Sequence, residues 1–243
     1  MFRGLYSAAS ALDAASQAQD ITAHNLAHVN TPGYRQRGVA YETFDRVLGR
    51  TQDPTGDIVG TRLVQGFSDF RVGPLQQTGN ALDLALGEPD RFFVVTNPTT
   101  NQPMYTRDGS FHQNPQGQLV STSGYLLQGE GGAPIKVPQG TSNFNIALDG
   151  SITADGAPVG QLRVVRVGNT KELTPVGDTL FSASENAGVQ AVPSRVMQGF
   201  REGSNVNPAE AMTGMILASR FYDATQRVLR SIAESVQLNT KPS

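Results

Sequence analysis

The sequence predicts an α+β fold: a helix at each end of the chain and a central, mainly antiparallel β domain between them. Three observations carry this. Apolar residues recur at steps of three and four over residues 5–26 and 211–236, a period that keeps one face of a helix turned toward a partner. Between residues 80 and 192 the period drops to two, with short apolar runs separated by turn dipeptides. The composition, with 26 Gly and 14 Pro among 243 residues, is turn-rich and favours short strands.

The length allows one large domain or two small ones. Hydrophobic content is 38% and charged content 16%, both low for a globular chain. A net charge of −2 argues against nucleic acid or an anionic membrane surface as a partner. The absence of cysteine excludes disulfides, thiolate zinc sites and a cysteine nucleophile. The opening residues do not read as a cleavable secretory signal. Arg3 is a lone positive charge, and Ser7, Ser10, Asp13, Ser16 and Gln17 interrupt any apolar core. No stretch approaches the ~20 apolar residues of a membrane span, so no membrane insertion is expected.

Four segments follow in order. Residues 1–34 form an N-terminal assembly helix and its closing turn. The helix is Ala-rich, with Leu5, Ala8, Leu12, Ala15, Gln19, Thr22 and Leu26 on one thin stripe, and Asn30-Thr31-Pro32-Gly33 ends it. Residues 35–79 read as an extended or loop-like connector punctuated by glycine. Residues 80–195 form the β domain, from the alternating Leu82, Leu84 and Leu86 and the run Phe92-Phe93-Val94-Val95 onward. Asp108-Gly109, Asp149-Gly150 and Asp155-Gly156 are its hairpin-type turn signals. Residues 196–243 are a linker and the C-terminal assembly helix, with Asn207 as N-cap, Pro208 at the first helical position and Glu210 placed to complete a capping box. Its stripe runs through Ala211, Met215, Ala218, Tyr222, Thr225, Leu229, Ile232 and Val236. The expected assembly contacts are Leu5, Leu12, Leu26, Met215, Tyr222, Leu229 and Ile232. Seams this thin are marginal alone, so a free subunit is expected to order its terminal helices poorly.

No residue is nominated as catalytic, metal-binding or cofactor-binding. His24 and His28 have the spacing of a zinc-protease helix, but the glutamate that must follow the first His is absent. Gly129-Glu130-Gly131-Gly132 leads through Ala133-Pro134 toward a strand, not into a helix as a phosphate loop must. Ser110 lies in a turn sequence without a nucleophile elbow, and the carboxylates are scattered.

Residues 23–34, Ala-His-Asn-Leu-Ala-His-Val-Asn-Thr-Pro-Gly-Tyr, closely resemble the N-terminal signature of bacterial flagellar rod and hook proteins, with His24 and His28 in place of two Asn. The signature positions are Asn25, Leu26, Ala27, Asn30, Thr31, Gly33 and Tyr34. Residues 78–86 (Thr-Gly-Asn-Ala-Leu-Asp-Leu-Ala-Leu) and 105–111 (Tyr-Thr-Arg-Asp-Gly-Ser-Phe) are similar to middle-domain motifs of that family. Glu202-Gly203-Ser204-Asn205-Val206 resembles the E-x-S-N-V ahead of its last helix, with Ser204, Asn205 and Val206 as signature positions. One departure is Asp90-Arg91 before Phe92-Phe93, where the family usually has Gly. Within the family, length and residues 202–212 look most like the proximal rod type, with the distal rod type second and the hook type less similar.

The resemblance implies a structural, non-enzymatic subunit of the periplasmic flagellar rod. It implies terminal helices paired in a coiled-coil-like inner layer, polymerisation into a helical tube that transmits torque, and no cofactor. The implied partners are other copies, other rod subunits, the flagellar type III export apparatus and the surrounding ring proteins. The rival reading is a cell-envelope binding module or hydrolase using the β domain as scaffold.

Overall fold

The computed structural model describes residues 2–43, 61–141 and 143–240; for residues 2–7, 39–43, 61–65 and 235–240 the backbone alone is described. Among the described residues it is α+β, with two α-helices and mainly antiparallel strands. Part of the 35–79 connector expectation lies outside the described residues, as do the side chains of Leu5 and Val236. The chain divides into two compact units.

The first unit holds residues 1–27, 37–67 and 207–243. Helix α1 is Phe2–Ala27, and α2 is Pro208–Thr240. Alanine favours α1, since it loses no side-chain freedom on folding. Among its described side chains, Ala8, Ala14, Ala15 and Asn25 are buried. Asn207 caps α2 as expected, its side chain accepting from the Ala209 N–H at 3.0 Å and its carbonyl from the Ala211 N–H at 2.9 Å, but Glu210 does not bond back to Asn207 and the capping box is not formed. Ala211 and Thr225 are buried, and Met215, Ala218, Tyr222, Leu229 and Ile232 are half-buried on the same stripe. A side chain at Gly214 of α2 would come within 3.4 Å of the Thr22 methyl on α1. The strands Arg37–Thr43 and Thr61–Ser68 pair as a two-stranded sheet.

The second unit holds residues 28–36 and 68–206. Its largest sheet has nine strands. In order along the main path they are Leu173–Pro175, Leu180–Ala183, Pro103–Thr106, Arg91–Thr96, Leu126–Leu127, Leu119–Ser121 and Phe111–Gln113. Val164–Val167 also pairs with Arg91–Thr96, and with Val189–Ala191 on its other edge. The strand Arg91–Thr96 is central and apolar on both faces. Phe93 and Val95 enter one core with Leu84, Phe111, Leu127 and Ile152, while Phe92 and Val94 enter a second with Val165 and Phe181. A strand buried on both sides reads as a continuous apolar run, because alternation needs one wet face. Leu84–Leu86 is likewise buried at all three positions and pairs with Val196–Gln198.

Two turn signals form hairpins. Asp149-Gly150 joins Phe144–Ile146 to Ser151–Ala154. Asp155 and Gly156, both at positive φ, form the two-residue turn into Ala157–Gln161. Asp108-Gly109 does not form a hairpin. Both residues are buried, and a side chain at Gly109 would sit 1.7 Å from the Leu84 carbonyl oxygen. The segment is a buried crossing whose Gly109 carbonyl accepts from the Leu84 N–H at 3.0 Å.

Candidate functional site

Three of the sequence-singled segments converge in the second unit. The turn after α1 is closed locally: Thr31 N–H donates to the His28 carbonyl at 3.1 Å, and Tyr34 N–H to the Thr31 carbonyl at 3.3 Å. Gly33 then runs against residues 107–108. Its φ of +68° and the 2.2 Å between an added Cβ and the Asp108 nitrogen leave no room for a side chain. Its N–H donates to the Glu202 carbonyl at 2.9 Å. Tyr34 is fully buried and stacks on His28, ring centroids 4.9 Å apart. His28 also meets the Thr31 hydroxyl at 3.1 Å and lies 3.4 Å from the Asp178 carboxylate.

At the centre lies Glu202, 1% exposed. One carboxylate oxygen accepts from Arg35 Nη2 at 2.6 Å and from the Gly73 N–H at 2.8 Å. The other accepts from Arg107 Nε at 2.8 Å. Arg107 Nη2 also comes within 2.7 Å of that oxygen, but off the angle of a hydrogen bond. Arg107 Nη1 donates to the Glu88 and Arg91 carbonyls at 2.6 and 2.7 Å. Both guanidinium groups are buried, so the cluster encloses two cations around one anion. Burial pushes the Arg107 guanidinium below its usual value, and Glu202 pulls it back. Arg35 Nε and Nη1 are buried without hydrogen-bond partners, the kind of cost a fold carries only when geometry elsewhere holds it.

Asn205 completes the junction. Its Oδ1 accepts from the Gln36 N–H at 2.7 Å, and its Nδ2 donates to the Asp69 and Arg71 carbonyls at 2.8 and 3.1 Å. Ser204 Oγ accepts from the Val206 N–H at 3.2 Å, and Val206 is buried. In the first unit, Asn25 pairs with Arg37 like a neighbouring strand: Oδ1 accepts its N–H at 2.8 Å, and Nδ2 donates to its carbonyl at 2.7 Å. Leu26 and Thr31 are half-buried, and Ala27 and Asn30 are exposed.

Arg35, Arg107 and Glu202 were not nominated from sequence, although all three lie within or beside the quoted motifs. The available signal was a charge inside each otherwise small or apolar motif. The arrangement holds rather than reacts. It saturates a carboxylate with donors and presents no free acid, base or nucleophile.

A β body fastened at one buried junction, on a chain whose two ends are long helices with apolar stripes, defines a structural assembly subunit. The comparisons with known proteins give its family. The model of flagella basal body rod proteins matches residues 5–35, that of the flagellar hook protein FlgE/F/G D1 domain residues 88–154, and that of the flagellar basal body rod FlgEFG protein C-terminal region residues 197–237. The flagellar basal-body rod protein FlgF of Salmonella typhimurium is 35% identical, covering 97% of this chain and 96% of its own. FlgG of Buchnera aphidicola subsp. Baizongia pistaciae is 30% identical over 98% of both chains, and FlgG of Bacillus subtilis 28% identical over 98% and 97%. This chain therefore belongs to the flagellar basal-body rod family. It is a structural subunit of the periplasmic rod and not an enzyme. Among the described residues, no helix is long and apolar enough to cross a membrane.

Proposed function

We propose that this subunit is of the proximal rod type and polymerises through its terminal helices into the tube that carries torque from motor to hook. The helices pair along their stripes in a coiled-coil-like layer, with Leu5, Leu12, Leu26, Met215, Tyr222, Leu229 and Ile232 as packing contacts. Passage through the flagellar export apparatus and contact with surrounding ring proteins belong to the same reading. The observation that carries it is on α2. One face is half-buried, yet Met212, Ile216, Leu217, Phe221 and Val228 remain largely exposed. A helix apolar beyond one face has more than one neighbour to cover it. The 35% identity to FlgF supports the proximal type; the FlgG matches keep the distal type as the alternative.

The rival class needs a cleft with convergent ionisable groups. A cavity of about 300 Å³ is lined by Glu130, Asp149, Gln161, Arg163 and Ser194. Hydrogen bonds from Ser151 hold Asp149 below the ordinary carboxylate range, which suits a turn former and not a proton shuttle.

Deleting residues 2–27 tests the proposal. The cut spares residues 28–36, which belong to the β unit. The expected result is a folded β unit in cells that do not swim and build no rod beyond the preceding subunit. Swimming cells would overturn it.

A further inference from the structure

We infer that the exposed stripe of α2 takes the acidic ridge of α1 in a second copy of this chain. This rests on the assembly reading above and adds which two faces meet. At about 100° per residue, Leu217, Phe221, Ala224 and Val228 fall within an arc of roughly 60°. Leu217 is 61% exposed, Phe221 58% and Val228 54%. One flank of that stripe is the half-buried face around Met215, Tyr222 and Leu229. The other flank is Arg220 and Arg227, both exposed and seven residues apart.

Helix α1 presents the complement. Its exposed positions Ala9, Asp13, Asp20 and Ala27 fall within an arc of roughly 40° at the same rotation per residue. The two acids are also seven residues apart, so both charge pairs span about 10.5 Å of helix and match whichever way the helices run. Ala9 and Ala27 let a neighbouring helix approach closely. Among the described residues, Asp13, Asp20, Arg220 and Arg227 form no ion pair within the chain. Asp223 and Glu234 lie beyond the two arginines, farther from the stripe and beside the exposed Met212 and Ile216.

Charge selects this occupant over an antiparallel two-fold pairing of α2 with itself. An antiparallel α2–α2 contact sets the arginine flank of one copy beside the arginine flank of the other, which repels. The α2-to-α1 contact makes two attractive pairs and covers the apolar stripe. It joins unlike faces, so each copy offers both halves and the contact repeats without closing.

The test uses the full chain. Asp13→Arg with Asp20→Arg, and separately Arg220→Asp with Arg227→Asp, should each weaken self-association by about tenfold in sedimentation velocity, and the fourfold swap should recover it. Circular dichroism checks that helicity is retained. Because the chain has no cysteine, Asp20→Cys chains mixed with Arg220→Cys or Arg227→Cys chains report the contact directly, as a disulfide between the two kinds of chain. Arg220→Cys chains crosslinking only to each other would overturn the inference, as would unchanged association in the reversed variants or a swap that fails to recover it. Reversed variants that lose helicity are replaced by Asp13→Asn with Asp20→Asn, and the crosslink then decides alone. Swimming in a strain lacking the gene would remove the assembly reading while leaving the crosslink result standing.

Discussion

Glu202 faces two guanidinium groups and a backbone N–H, all away from water. Removing its charge leaves Arg35 and Arg107 as uncompensated buried cations, the expensive way to break a buried pair. Glu202→Gln should therefore cost about 3–5 kcal/mol of stability, read as a fall in the urea midpoint of the strand signal. This cluster was not legible in the sequence. Arg35 and Arg107 meet Glu202 across 167 and 95 residues, and no local pattern encodes such separations. Asp108 illustrates a different cause. Burial pushes its carboxyl above the ordinary carboxylate range, against the Ser110 N–H that donates to it at 3.0 Å. The neutral form is thus favoured in the folded state. Its contribution is fully present below the unfolded-state value and is lost as pH rises through the raised folded value. Asp108→Asn should flatten that dependence and raise stability at neutral pH, measured by urea unfolding across a pH series.

Among the elements, those with local signals were legible. The N-cap of α2 was readable because Asn207 and Pro208 act within one turn. The two-residue turn at Asp155-Gly156 was readable because both positions need positive φ. Asp108-Gly109 carries the same dipeptide but serves another purpose, since close approach to Leu84 demands the glycine there. The turn after α1 was readable as a break and not as a docking element. Gly33 decides that role: its missing Cβ lets residues 33–35 lie against residues 107–108. Gly33→Ala should displace the turn and expose Tyr34 and Arg35. The check is faster hydrogen exchange at residues 33–36 with little change over residues 144–161.

Over the whole molecule, the two units differ in what holds them. The β unit has two cores of large side chains around Arg91–Thr96. The buried apolar positions described on the helices are all alanine: Ala8, Ala14, Ala15 and Ala211. Burying an alanine contributes far less than burying a Leu or Phe. The helical unit should accordingly open first. In native-state hydrogen exchange of the dilute chain, residues 8–26 should exchange well before residues 92–95, and the helical signal should be lost at lower urea than the strand signal. Equal protection in both regions would contradict this order. Sequence showed the stripes and their thinness, because both are local. It could not show that the strands between them build two cores, because that depends on pairing across the sheet.

The Gln36 N–H bonds to the Asn205 side chain, and the Tyr34 carbonyl accepts from the Asn205 N–H at 3.4 Å. Two stretches of the β unit far apart in the chain thus run side by side there. The Asp155-Gly156 turn takes no part in these bonds, so the β unit can be lengthened there with both of them kept.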